Sequence, residues 1–132
     1  LTGYQDIAKD VVAELSEQVA VAVAAGIDRS RIVVDPGLGF AKNIEENWEL
    51  VARLDELKNL GLPILVGASR KRFLAAVLDQ ENPAGVTNGR RDVATAVLTA
   101  LLLQRGLWGV RVHNVELTAD TIAIVKKLKD SI

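Results

Sequence analysis

Hydrophobic residues recur along this chain in two alternating rhythms, and the switches between them give the order of elements. From Tyr4 to about Ala25, Ile7, Val11, Leu15, Val19 and Ala22 fall at helical intervals, which predicts a helix with one apolar face that stops at Gly26. Ile32-Val33-Val34 then predicts a buried strand, because a run of β-branched residues packs well on a sheet. Asn43 followed by Glu46 has the pattern of a capping box, and Ile44, Trp48, Val51 and Leu54 line one face of a second helix that runs to Gly61. Pro63 to Val66 reads as the next strand. Ser69 is placed as the cap of a short helix carrying Phe73, Leu74 and Val77, and Asp79 to Gly89 reads as a polar loop. A helix from Arg90 to Gln104 is apolar nearly all round, through Val93, Ala94, Val97, Leu98, Leu101 and Leu102. Gly109 to His113 is the last strand, and Thr118 to Lys129 closes the chain as an amphipathic helix with Ile122, Val125 and Leu128.

A helix followed by repeated strand and helix units predicts an α/β fold with a parallel sheet. Units of about 30 residues are what a (β/α)8 TIM barrel of about 250 residues gives when divided by its strands. Residues 1–132 therefore read as one partial barrel domain, somewhat less than half of the whole. A doubly wound open sheet fits the same order, because so few units do not show whether the sheet closes. A barrel helix needs only one apolar face, so the surplus on the 90–104 helix predicts a subunit interface.

Composition narrows the function classes. The 132 residues are 49% hydrophobic and 25% charged, with a formal net charge of -1. The isoelectric point is about 5.9. No basic field exists to hold a phosphate backbone, so nucleic acid is not a predicted partner. The chain has no cysteine, which removes disulfides and thiolate chemistry, and its single histidine, His113, cannot build a histidine metal cluster. The longest nearly unbroken apolar run, Val93 to Leu103, contains Thr95 and Thr99 and falls short of the roughly 20 residues a bilayer span needs. No membrane partner and a cytoplasmic location are the expectations. The chain has no methionine and begins at Leu1, so it reads as part of a longer protein.

The chemistry gathers at strand ends. In either architecture a ligand sits beyond the carboxyl ends of the strands, where this chain places Asp35, Ser69, Lys71, Arg111 and His113. Period-two alternation turns Arg111 and His113 to one side and Val110 and Val112 to the other. A cation beside an imidazole suits a phosphate-bearing substrate, and Lys71, on the first turn of a helix, adds charge beside free backbone N–H groups. Taken singly, each residue has a plainer reading. An Asp before Pro36-Gly37 is a turn former, a lone His is a hydrogen-bonded structural residue, and Arg70-Lys71-Arg72 is a solvated basic run. Gly37-Leu38-Gly39 lacks the third glycine of a dinucleotide fingerprint. The convergence of all three strands on the same rim favours a site, since turn chemistry alone does not require it.

Asp35-Pro36-Gly37-Leu38-Gly39-Phe40-Ala41-Lys42, then Gly67-Ala68-Ser69-Arg70-Lys71, then Arg111-Val112-His113 resemble, in order and spacing, the three late motifs of the dihydropteroate synthase family. Gly89 to Val97 and Trp108 to Arg111 are similar to actinobacterial members. The resemblance implies about strands 6 to 8 of a TIM barrel. It also implies the joining of 6-hydroxymethyl-7,8-dihydropterin diphosphate to p-aminobenzoate with release of diphosphate. By the same resemblance Asp35, Gly67, Lys71 and Arg111 bind the pterin, and Arg111 and His113 bind the diphosphate. Phe40, Lys71 and Arg72 border the p-aminobenzoate, and Lys71, Arg111 and His113 carry the catalysis. Arg72 departs from the family, where many members carry Ser. A magnesium ion is implied for the diphosphate, with its protein ligand on a strand this chain does not contain. The implied assembly is a homodimer through the C-terminal helices. Two alternatives stay open: a non-catalytic pterin-binding paralogue or assembly module, and a pterin-dependent methyltransferase barrel.

Overall fold

A computed structural model describes residues 4–81 and 85–132. Three parallel strand positions lie side by side, with the central one contributed by residues 63–66. Val34 makes an isolated parallel bridge to Ile64 on one side. On the other, β1 (Leu65–Val66) pairs in parallel with β2 (Gly109–Val110), Leu65 opposite Gly109 and Val66 opposite Val110. The strands are shorter than the sequence predicts, and proline explains one edge. Val34 donates its N–H to the Pro63 carbonyl at 2.9 Å, and Leu65 donates to the Val34 carbonyl at 2.8 Å. The next ladder bond in that direction would need the N–H of residue 36, and Pro36 has none, so pairing stops and the chain turns. Val33 is 39% exposed, so the expectation that all three β-branched residues are buried is corrected: Val34 is fully buried and Ile32 packs half-buried against the core. Period-two alternation aims Val33 away from it.

The helices follow the apolar periodicity with shifted ends. α1 (Ile7–Ala24) starts after Asp6, whose side chain accepts from the Lys9 N–H, and buries Ile7, Ala8, Val11, Leu15 and Val19. The single helix expected from Asn43 to Gly61 is broken. α2 (Ile44–Ala52) carries the reciprocal Asn43–Glu46 capping box, and α3 (Leu54–Leu57) follows after Arg53, then a short 3-10 turn, Lys58–Leu60. Arg53 spans the break, its guanidinium reaching Asp6, Glu49 and Glu56 at 3.0, 3.0 and 2.7 Å. Those carboxylates hold its already basic pKa higher still, the Glu56 hydrogen bond contributing most. Leu50, Leu54 and Leu57 are buried on both sides of the break, so the periodicity does not reveal it.

α4 (Arg72–Glu81) begins later than a Ser69 cap would place it, and Lys71 precedes its first residue. The Lys71 carbonyl accepts from the Leu74 and Ala75 N–H groups. The loop expected at Asp79 to Gly89 is shortened at both ends, since α4 reaches Glu81 and α5 (Asn88–Leu103) starts after the Thr87 cap; residues 82–84 lie outside the described segments. α6 (Val115–Asp130) opens on Asn114, whose side chain accepts from the Leu117 N–H. One core holds the inner faces of α1 to α5 against the sheet, with Phe73, Leu38, Leu50, Leu54, Leu57, Leu102 and Val66 the largest of its fully buried side chains. Burying a side chain of that size contributes about 1.5–3 kcal/mol.

α5 buries Asp92, Thr95, Ala96, Leu98, Thr99 and Leu102, while Val93, Val97 and Leu101 are each more than half exposed. The surplus apolar face read from the sequence is therefore a real surface stripe. It lines a cleft of about 500 Å³ together with Trp48, Leu74, Val77 and Leu78.

Candidate active site

Each strand position delivers its next residue to the same rim. Val34 leads to Asp35, β1 to Gly67, and β2 to Arg111, whose N–H is still held by the Val66 carbonyl at 3.0 Å. Arg111 Nη1 donates to Asp35 Oδ2 at 2.9 Å, closing a bridge between the outer strand positions across the central one. The bridge passes directly over Gly67. A Cβ there would stand 2.7 Å from the Arg111 Cζ, well inside contact distance, so only glycine leaves room for the guanidinium. The other Asp35 oxygen, Oδ1, accepts from the Gly37 N–H at 2.9 Å. That bond is the local turn contact the plainer reading anticipates. Both readings of Asp35 therefore hold together: one oxygen shapes the turn and the other faces the rim.

The loop after Asp35 is folded tightly and buttressed from beneath. Gly37 and Gly39 adopt φ of 69° and 85°, and Ala41 also lies in the left-handed region at 54°. Asn47, only 3% exposed, accepts from the Gly39 N–H through Oδ1 at 2.8 Å and donates through Nδ2 to the Asn43 carbonyl at 2.9 Å. The Lys42 ammonium turns back to donate to the carbonyls of Gly37 and Phe40, at 2.9 and 3.0 Å. Sequence reasoning missed Asn47 and gave Lys42 no role. The signal for Asn47 was present, as an amide set among Ile44, Trp48, Leu50 and Val51 on an apolar helix.

Lys71 arrives from the central strand. Its ammonium donates to the Leu38 carbonyl and sits 4.9 Å from the centre of the Phe40 ring. Gly39 is close beneath, so a Cβ there would meet Lys71 Cδ at 3.1 Å. Burial pushes the Lys71 ammonium below the ordinary lysine range and Arg111 adds to this, while Asp35 opposes it. Lys42 is also pushed down by burial. Asp35, Phe40, Gly67, Lys71 and Arg111 thus form one constellation.

The remaining two predicted site residues are Arg72 and His113. Arg72 lines a neighbouring cleft of about 480 Å³ with Gly39, Lys42, Asn43, Asn47 and Phe73. His113 is exposed, and its ring Nδ1 lies 2.8 Å from Ser69 Oγ, which also accepts from the His113 N–H at 3.1 Å. Ser69 serves this contact and not the helix cap expected for it.

A second missed feature supports the 69–71 turn. Arg70 has φ of 59°, a conformation few non-glycine residues adopt, and α5 clamps it from behind. Its guanidinium grips the buried Asp92 through two parallel bonds, 2.8 and 3.1 Å long, and its N–H donates to Thr95 Oγ1 at 3.3 Å. The carbonyl of Arg70 accepts from Arg91 Nη1 at 3.2 Å. The hydrogen bonds from Arg70 hold the Asp92 carboxyl below the usual carboxylate range. Arg70 is therefore not part of a solvated basic run.

Among the described residues no three His, Cys, Asp or Glu side chains stand close enough to hold a metal ion. Asp35 is engaged by Arg111 and Gly37, and His113 by Ser69, so the rim does not fit a magnesium site. Nor is any helix among the described residues long and apolar enough to cross a membrane.

Comparison with known proteins matches residues 2–113 to the pterin binding enzyme family. The dihydropteroate synthase of Mycobacterium leprae is 48% identical over 122 residues, covering 92% of this chain and 43% of that protein. Among solved structures, the dihydropteroate synthase of Xanthomonas albilineans in complex with 7,8-dihydropteroate superposes with a TM-score of 0.87 at 33% identity. That match covers 96% of this chain and 47% of the other. The dihydropteroate synthase of Yersinia pestis in a sulfonamide drug complex gives a TM-score of 0.88 at 31% identity, covering 98% and 45%. The chain spans less than half the length of each of these relatives. The parallel sheet, the helices between its strands and this superposition make the chain a partial TIM barrel, and the open doubly wound alternative falls away. With its three rim motifs at three successive strand ends, and with that match over most of its length, the chain belongs to the pterin binding enzyme family.

Proposed function

We propose that residues 1–132 form a single partial-barrel domain that contributes one side of a dihydropteroate synthase site. The reaction joins 6-hydroxymethyl-7,8-dihydropterin diphosphate to p-aminobenzoate. The observation that carries this reading is the convergence of Asp35, Gly67, Lys71 and Arg111 from three strand ends, with Arg111 bridged to Asp35 over Gly67. A carboxylate can accept two parallel hydrogen bonds from the 2-amino group and ring N–H of a pterin. For this Arg111 must release Asp35, and its planar guanidinium is then free to lie on the pterin face and reach the diphosphate. Lys71, held by the Leu38 carbonyl beside Phe40, offers its ammonium to the pterin's polar edge. Phe40 walls the p-aminobenzoate ring, and Arg72, at the start of α4, faces its carboxylate.

In the reaction the C–O bond to the diphosphate breaks, and the bonding pair leaves with the diphosphate. The aromatic amine attacks the cationic pterin methylene and then loses a proton. The protein's work is positioning and charge stabilisation: Arg111 and His113 receive the departing charge, and no covalent intermediate with Lys71 is needed. The same reading carries a cytoplasmic location. It also carries a homodimer in which the Val93, Val97 and Leu101 stripe of α5 meets a second copy.

The test uses a chimera that joins the portion of the Mycobacterium leprae relative absent here to this chain, and measures p-aminobenzoate-dependent diphosphate release. Activity that Lys71→Ala abolishes supports the reading. Pterin binding without turnover would favour a binding module, and turnover that requires a methyl carrier would favour a methyltransferase.

A further inference from the structure

We infer that Ser69 is a positioning residue that sets the tautomer of His113, so that the ring presents Nε2–H outward as a donor to an anionic group of the substrate. The substrate part of this statement rests on the proposed function; the tautomer does not.

Ser69 is buried, and its Oγ takes part in two hydrogen bonds, both with His113. The backbone N–H of His113 can only donate, so Oγ accepts that bond at 3.1 Å. Oγ has a second lone pair, but if it also accepted from an Nδ1–H its own buried proton would meet no other acceptor among the described residues, so that proton is directed to Nδ1, 2.8 Å away. A neutral imidazole that accepts at Nδ1 carries its proton on Nε2. No described residue accepts from Nε2, and the residue is exposed, so this N–H is left for a ligand.

Both ends of the Ser69–His113 pair are held in place. On one side the left-handed Arg70 is fixed by Asp92, Thr95 and Arg91 of α5, which sets the direction in which Ser69 leaves the central strand. On the other, Asn114 caps α6 through the Leu117 N–H at 3.0 Å, which anchors the residue after His113. A serine that served the backbone alone would need one bond. The second bond costs the ring its rotational freedom and makes sense where ring orientation matters.

The chain has a single histidine, so its ring nitrogens can be read without assignment by long-range 1H–15N correlation. The spectrum is recorded on this chain at a pH of about 8.5, where an ordinary histidine is neutral. The expected wild-type result is one tautomer, Nε2–H, with the Nδ1 resonance displaced by an accepted hydrogen bond. Ser69→Ala should remove that displacement and let the Nδ1–H form appear, and Ser69→Thr should keep the wild-type pattern. An Nδ1–H ring in the wild type overturns the inference, as does an Nδ1 resonance that is the same in the wild type and Ser69→Ala. The wild-type spectrum decides even if Ser69→Ala fails to fold. In the chimera, Ser69→Ala should lower kcat about tenfold, the size of one hydrogen bond to a charged group, with KM for p-aminobenzoate unchanged. A chimera that is inactive with Ser69 in place counts against the proposed reaction alone, because the ring spectrum is independent of turnover.

Discussion

Replacing Gly67 by alanine separates what the rim does for stability from what it does for ligands. Gly67 is not in the left-handed region, so alanine strains no backbone there. Its Cβ would lie 2.7 Å from Arg111 Cζ and 3.2 Å from Nε. Carbon atoms pack at about 3.5–4.0 Å, so the guanidinium must move by about 1 Å. The moving group is the end of a flexible side chain, and displacing it costs about 0.5–1.5 kcal/mol in rotamer energy. The ion pair it gives up with Asp35 is exposed, at 57% and 33% for the two side chains, and is worth about 0.2–1 kcal/mol. Unfolding free energy should therefore fall by only about 1–2 kcal/mol. The reaction should suffer far more, because a misplacement of about 1 Å in a positioned group can cost about a hundredfold in rate, with pterin affinity falling alongside it. Urea unfolding and calorimetric titration with a pterin would measure both on the same variant, and kcat/KM in the chimera would add the rate. Unchanged pterin affinity in a folded Gly67→Ala protein would sink the role given to Arg111, and a stability loss above about 4 kcal/mol would show that the bridge is structural.

Asn47→Ala strands the Gly39 N–H and should cost about 1–3 kcal/mol, read by urea unfolding, with weaker pterin binding as the 35–42 loop loosens. Unchanged stability would show that water replaces the amide. For Asp92→Asn the prediction is in the pH profile. Arg70 lowers the folded pKa of Asp92 below 3.8, so the unfolded state binds more protons between those two values. The stabilisation is present above 3.8 and lost as pH falls through the lower folded midpoint. The gap in stability between wild type and Asp92→Asn should thus be constant at neutral pH and close in acid, and a gap that widens in acid would contradict the ion pair. Val97→Glu puts a charge in the exposed stripe of α5 and should convert the proposed dimer to a monomer in sedimentation without unfolding it. A variant that sediments as the wild type does would place any interface elsewhere.

Local chemistry in the sequence determined the element order, the apolar faces and the rim. Alternating periodicities set the α/β class, Asn43 with Glu46 marked the start of α2, and short apolar strands ending in Asp35, Gly67 and Arg111 placed the chemistry at one edge. These features are legible because each depends on residues within a turn or two of one another. Tertiary structure decided what depends on distant partners. Pairing stops at Asp35 because Pro36 faces a neighbouring strand, and the long second helix breaks where Arg53 collects carboxylates from two other turns and from the Asp6 cap. Ser69 turns from helix cap to histidine partner only because β2 brings His113 beside it, 44 residues further on. The Arg70–Asp92 clamp likewise joins residues 22 apart. A polar side chain has several partners it could satisfy locally, and which one it takes is settled by the packing that brings the distant one within reach.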